Sequence, residues 1–172
     1  MSGTNFPNGV AVRNKYSGNV DTTNDYKLAA NTKFIRKQAV IHCVGSDADN
    51  AERTTSFTFP AGSIVHDVFL NVITVDATET VDVGTEGTTN DPNGFLAAVS
   101  LATAGLVFGS LADGAVTRGA LLSETTEAVT AAARKPAIIA AADPVSFTCS
   151  AGTDTAVFDI IIDYTEVVTE AN

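Results

Sequence analysis

Two histidines, two cysteines and one oxygen-rich stretch are the side chains in this 172-residue sequence whose types and spacing could do chemistry. A zinc site needs ligands at fixed short spacings, as in HExxH or paired CxxC, and neither pattern occurs around His42, His66, Cys43 or Cys149. Serine hydrolysis would need an elbow such as GxSxG, and nucleotide binding a P-loop or a GxGxxG turn, and these are also absent. Both histidines fall in strand-like runs, so each reads as a structural residue with a hydrogen-bond partner. The cysteines sit in similar runs and read as free, buried thiols in preference to a disulfide. The segment from Asp82 to Gly94, DVGTEGTTNDPNG, offers hard oxygen ligands that calcium would accept. Its spacing does not match the DxDxDG loop with its terminal glutamate, and Asp, Asn, Gly and Pro are equally the residues of a plain β-turn. The expectation is a non-enzymatic protein with no catalytic residue, cofactor or metal.

The elements around these residues read as short strands. Phe34–Val44 grows more apolar toward its end, Ser46–Asn50 is a polar turn, Thr54–Phe59 a short strand and Pro60-Ala61-Gly62 a tight turn. In Ser63–Val75, alternation places Ile64, His66, Val68, Leu70 and Val72 on one face, with Asp67, Phe69, Asn71 and Ile73 on the other. Apolar residues on both faces imply that one packs on the core and the other on a neighbouring subunit. Phe158, Ile160, Ile162 and Tyr164 alternate with Asp159, Asp163 and Thr165, which reads as a long strand with a solvated acidic face. Val145, Phe147 and Cys149 alternate in the run before it, and residues 150–154 read as the loop of a hairpin joining the two.

Between Gly94 and Pro144 the pattern is less regular. Phe95–Leu101, Gly105–Phe108 and Pro136–Ala141 read as short strands bounded by Gly or Pro. Ser123–Lys135 carries helix-boundary signals, with Ser123 as N-cap and Pro136 as the stop, but its Thr and Val content favours loop and strand. About eight short strands without a βαβ rhythm predict an all-β fold, an antiparallel β-sandwich of jelly-roll-like type over 33–172. The preceding residues 1–32 are rich in Asn, Gly, Ser, Thr and Asp and read as an extended N-terminal arm.

Charge divides along the same line. Residues 1–37 hold six basic and two acidic residues, a net of +4, whereas the remainder holds four basic and 18 acidic, a net of −14. A chain of net charge −10 is repelled by phosphates, so nucleic acid is not an expected partner. No apolar run approaches the roughly 20 residues that span a bilayer, and the start lacks the pattern of a secretory signal, so a soluble chain with no membrane partner is expected.

The stretch Phe59–Val72, FPAGSIVHDVFLNV, followed by Val81–Thr85 (VDVGT) and Asp91–Leu96 (DPNGFL), resembles virion proteins of tailed bacteriophages. The opening Asn5–Val10 (NFPNGV) is similar to the start of such proteins. The resemblance implies a head decoration, or cement, protein on the outer capsid surface, assembled in the host cytoplasm, that stabilises contacts between major capsid subunits. It also implies a homo-oligomer, with a trimer slightly ahead of a dimer. This chain departs from small trimeric decoration proteins of the β-tulip type by its length and by the long strand pair at its end. In that setting the basic arm becomes the anchor, with Arg13, Lys15 and Lys27 as the capsid-binding residues. Two alternatives stand beside it: another virion component (head fibre base, neck or tail subunit), or a carbohydrate- or calcium-binding β-sandwich module. The sugar reading is weakened by the absence of Trp and the presence of only Tyr16, Tyr26 and Tyr164 as tyrosine platforms.

Overall fold

The computed structural model describes residues 32–87, 90–111, 117–124, 133–150 and 155–169. Its contacts group Phe34–Val167 into one unit and Met1–Lys33 with Val168–Asn172 into another. The sandwich is the first of these. The arm, residues 1–32, lies outside the described residues apart from Thr32, as do Arg13, Lys15 and Lys27.

Among the described residues eleven strands follow one another: β1 Thr32–Val44, β2 Arg53–Phe59, β3 Ser63–Thr74, β4 Thr80–Thr85, β5 Asp91–Ser100, β6 Gly105–Phe108, β7 Ser123–Glu124, β8 Ala133–Arg134, β9 Ala137–Ile139, β10 Asp143–Cys149 and β11 Val157–Thr169. One sheet has the order β1-β11-β3-β6, with β9 also on β3, and a second has the order β2-β10-β4-β5. Setting aside the short β7, β8 and β9, eight strands pair first with last, second with seventh, third with sixth and fourth with fifth. That is a long antiparallel ribbon folded over on itself, with successive pairs alternating between sheets. The strand order is therefore that of a jelly roll, and the expected all-β sandwich is observed.

The inner faces meet in a core of Val65, Val68, Leu70, Phe158, Ile160 and Ile162 against Phe59, Val81, Val83, Phe95, Val145 and Phe147. Phe59 is fully buried and packs edge-on against Phe57 at 5.1 Å and against Phe95 and Tyr164 at 5.8 Å, tying β2, β5 and β11 together. Burying one such ring stabilises the fold by about 1.5–3 kcal/mol. Where two backbones approach closely the sequence supplies glycine. A side-chain carbon on Gly84 would lie 1.9 Å from the carbonyl oxygen of Asp91, so β4 and β5 can close only over a bare backbone.

Three expectations change. Ile64 and His66 do not share the buried face of Val68, Leu70 and Val72. The β3–β11 register slips between Asp163↔Asp67 and Tyr164↔Val65, leaving His66 as an extra residue, and this β-bulge inverts the parity, so Ser63 and Val65 are the buried ones at that end. β10 and β11 do not form a hairpin, because they belong to different sheets. Each has one apolar face, and the two faces meet across the core, with Phe147 edge-on to Phe158 at 5.9 Å. The acidic face of β11 is not simply solvated, since Asp159 and Asp163 both carry cationic or imidazole partners from β1. The ends of Ser123–Lys135 pair as strands, Ser123↔Arg134 and Glu124↔Ala133, in keeping with the loop-and-strand reading over the helix; residues 125–132 lie outside the described ones.

Candidate interaction surface

The outer face of the β1-β11-β3-β6 sheet gathers most of the residues singled out from the sequence. Its inner neighbours fix which side chains point outward. Cys43 is buried on β1, so Arg36, Gln38, Val40 and His42 stand on the opposite face. By the same parity Asp159, Ile161 and Asp163 point outward from β11, Phe69, Asn71 and Ile73 from β3, Leu106 and Phe108 from β6, and Ile138 from β9.

The β1–β11 side of this face is ionic. Arg36 grips Asp163 through both carboxylate oxygens, with Nε donating to Oδ1 at 2.9 Å and Nη2 donating to Oδ2. That hydrogen bond, aided by the guanidinium charge, holds the Asp163 carboxyl below its usual range. His42 Nδ1 meets Asp159 Oδ1 at 2.8 Å, and Asn71 donates to the other oxygen of Asp159 at 3.4 Å. Lys37 pairs with Glu166, although both lie on the core-facing parity, and Phe34 and Ile35, of opposite parity, are both exposed. At this end β1 and β11 therefore run past the cover of the opposite sheet.

Asp67 faces Asp163 across β3 and β11, and like charges directly opposed are unfavourable unless each is compensated. Asp163 is compensated by Arg36, and Asp67 by two arginines from the other side. Arg118, whose side chain is fully buried, donates from Nη2 to Asp67 Oδ1 at 2.6 Å and from Nε to the Leu122 carbonyl at 3.1 Å. Arg134, largely exposed, reaches Asp67 Oδ2 at 3.3 Å. Sequence reading missed this cluster. Arg118 stands alone between Thr117 and Gly119, with no period or spacing to mark it.

Toward β6 the face becomes apolar. Phe69 stacks on Phe108 with ring centroids 4.9 Å apart, beside exposed Ile73 and Leu106. Ile138, opposite Ile64, extends the apolar area toward β9 and is 73% exposed. The placement of Phe69 on the face opposite Val68 and Leu70 was legible as apolar residues on both faces of β3. Its partner Phe108 was not singled out.

The chemistry-bearing residues do not converge. His42 bonds to Asp159 and His66 Nε2 to Thr165 Oγ1 at 2.8 Å, and these positions lie about 20 Å apart along β11 at roughly 3.3 Å per residue. Cys43, adjacent to His42 on a strand, points to the opposite face, and burial, helped by the Asp159 and Asp47 carboxylates, pushes its thiol up to about 12. Neither cysteine forms a disulfide, and both are buried. Asp82, from the oxygen-rich segment, accepts the Ala98 amide at 2.6 Å, fixing a residue with φ of +50° in a β4–β5 irregularity. Tyr164, the one tyrosine among the described residues, is 6% exposed and belongs to the core, so it offers no stacking platform. Among the described residues no three His, Cys, Asp or Glu side chains group as metal ligands.

No family model matches the sequence, and no curated protein matches it. Solved structures similar to the chain include one described as the acidic stable capsid structure of Helicobacter pylori bacteriophage KHP30, at 15% identity and a TM-score of 0.46, covering 82% of this chain and 99% of that one. Another is a capsid asymmetric unit of cyanophage Pam1, at 14% identity and a TM-score of 0.39, covering 78% of this chain and 84% of that one. Likeness at that level fixes neither the fold nor the role of this chain.

Proposed function

We propose that this protein is a structural component of a tailed-bacteriophage virion, and specifically a head decoration or cement subunit that binds the outside of the capsid shell and stabilises contacts between major capsid subunits. The observation that carries the reading is the outer face of the β1-β11-β3-β6 sheet. Its inner face is already covered by the second sheet, yet Phe69, Ile73, Leu106 and Phe108 form an apolar area on the outside, next to a lattice of paired charges. Apolar areas of this kind, rimmed by polar residues, mark contact surfaces in assemblies. The resemblance of Phe59–Val72, Val81–Thr85 and Asp91–Leu96 to virion proteins supplies the setting. A jelly-roll strand order fits it, since capsid proteins use that architecture, although lectins and cupins use it too.

On this reading the protein works by rigidity and contact and catalyses nothing. Replacing His66 by alanine removes its hydrogen bond to Thr165 and changes stability at most. The arm, with Arg13, Lys15 and Lys27, supplies reach, because about 30 extended residues span on the order of 100 Å. The test is to add purified protein to capsid shells stripped of it. Saturable binding on the outside is expected, weaker and less salt-sensitive for a chain starting at Lys33. Shells that take up none of the full chain would refute the decoration role; undiminished binding by the shortened chain would move the anchor from the arm to the sandwich.

A further inference from the structure

The two sheets have four edges, and three of them carry protection against pairing with another chain. β1 presents Arg36 and Lys37, and β2 begins at Arg53. β5 is covered by residues 117–121, whose main chain bonds to Gly94, Phe95 and Ala97. Charged side chains, proline and covering segments are the usual means by which sheet edges avoid self-association. Among the described residues β6 has none of these. Residues 104–112, AGLVFGSLA, contain no charge and no proline, and among the described residues no main-chain hydrogen bond reaches β6 from beyond its own sheet. Leu106 and Phe108 on this strand are 60% and 48% exposed, beside Ile73.

We infer that β6 is a self-association edge, where a second copy of this chain adds its own β6 antiparallel across a twofold axis to make one continuous sheet through both subunits. Three features select a second copy as the occupant. Antiparallel pairing of identical strands is self-complementary, so a single patch serves both partners. A chain of net charge −10 repels its own copies over most of its surface, and a neutral edge is where that repulsion is least. Twofold pairing also leaves Leu106 and Phe108 of both copies on the same outer face, where they join the Phe69–Phe108 stacks into one apolar area across the axis. The result is a dimer, in contrast to the trimer that the family resemblance favours.

The inference does not depend on the decoration role, and its test contains no capsid. Sedimentation of the purified full chain at about 10–100 μM, a range in which an edge contact of micromolar affinity is populated, is expected to give a dimer. Leu106→Lys, which restores a natural edge guard at an exposed position, is expected to weaken it about tenfold or more, with a melting temperature equal to the parent's at dilutions where both are monomers. Val40→Lys, at an exposed position on the opposite edge, is expected to leave it intact. Hydrogen exchange of the unmodified protein supplies a reading that needs no variant: the amides of Gly105–Phe108 are expected to gain protection as concentration rises. A monomer throughout this range, a trimer, a dimer indifferent to Leu106→Lys, or β6 amides indifferent to concentration would each overturn it.

Discussion

Replacing Asp67 by alanine strands the charge of Arg118. The guanidinium has no solvent exposure, its Nη1 finds no partner among the described residues, and without Asp67 only the Leu122 carbonyl would remain to it. Removing one partner of a buried ion pair costs about 3–5 kcal/mol, because the other charge stays desolvated. The reverse change, Arg118→Met, keeps most of the side-chain volume and leaves Asp67 with Arg134 at 3.3 Å and with 19% of its side chain in water. Its cost is about 1.5–2 kcal/mol, the low end for a hydrogen bond to a charged group because Asp67 keeps a second arginine. The double variant, Asp67→Ala with Arg118→Met, buries no stranded charge and is expected to be more stable than Asp67→Ala alone, with a coupling of about 2 kcal/mol. Denaturant titrations read by linear extrapolation resolve these differences. Equal costs for the two single variants, or additive costs in the double, would refute the placement of Arg118 as a buried cation dependent on Asp67.

Two further outcomes follow from the titrating groups. Asp163 has its carboxyl lowered by the Arg36 hydrogen bond, so the pair contributes stability that is fully present above the unfolded carboxyl value near 4 and is lost as pH falls through the lower folded value. Arg36→Gln is therefore expected to be less stable than the parent at pH 7 and to converge with it in urea titrations toward pH 2; a gap that persists or widens in acid would contradict this. Cys43, with its thiol near 12, has about one part in ten thousand as thiolate at pH 8, and is expected to resist iodoacetamide in the folded protein and react once unfolded, as followed by peptide mass spectrometry. Labelling of native Cys43 at the rate of a free cysteine would place it at the surface instead.

Much of the sandwich was legible because burial on one face imposes a period of two. The run Phe158–Tyr164 gave its buried set directly, and the boundaries of β2, β3 and β6 followed from Pro60, Gly62 and Gly105. What failed was whatever depends on partners distant in sequence. The parity of β3 breaks at His66 because its register against β11 slips there, and nothing in Ser63–Val75 alone marks that slip. β10 and β11 looked like a hairpin because a five-residue loop is compatible both with a turn within one sheet and with a crossing between two. The Asp67 cluster joins β3 to positions 51 and 67 residues away, a contact that only the folded ribbon creates.

The central claim is most directly tested by imaging phage heads, at a resolution sufficient to see added mass, from particles made with and without this protein. Regularly spaced density is expected on the outer shell surface of the complete particles, absent when the protein is missing and restored when it is added back. Identical shells in the two preparations, or the protein found only at the neck or tail, would contradict the decoration role.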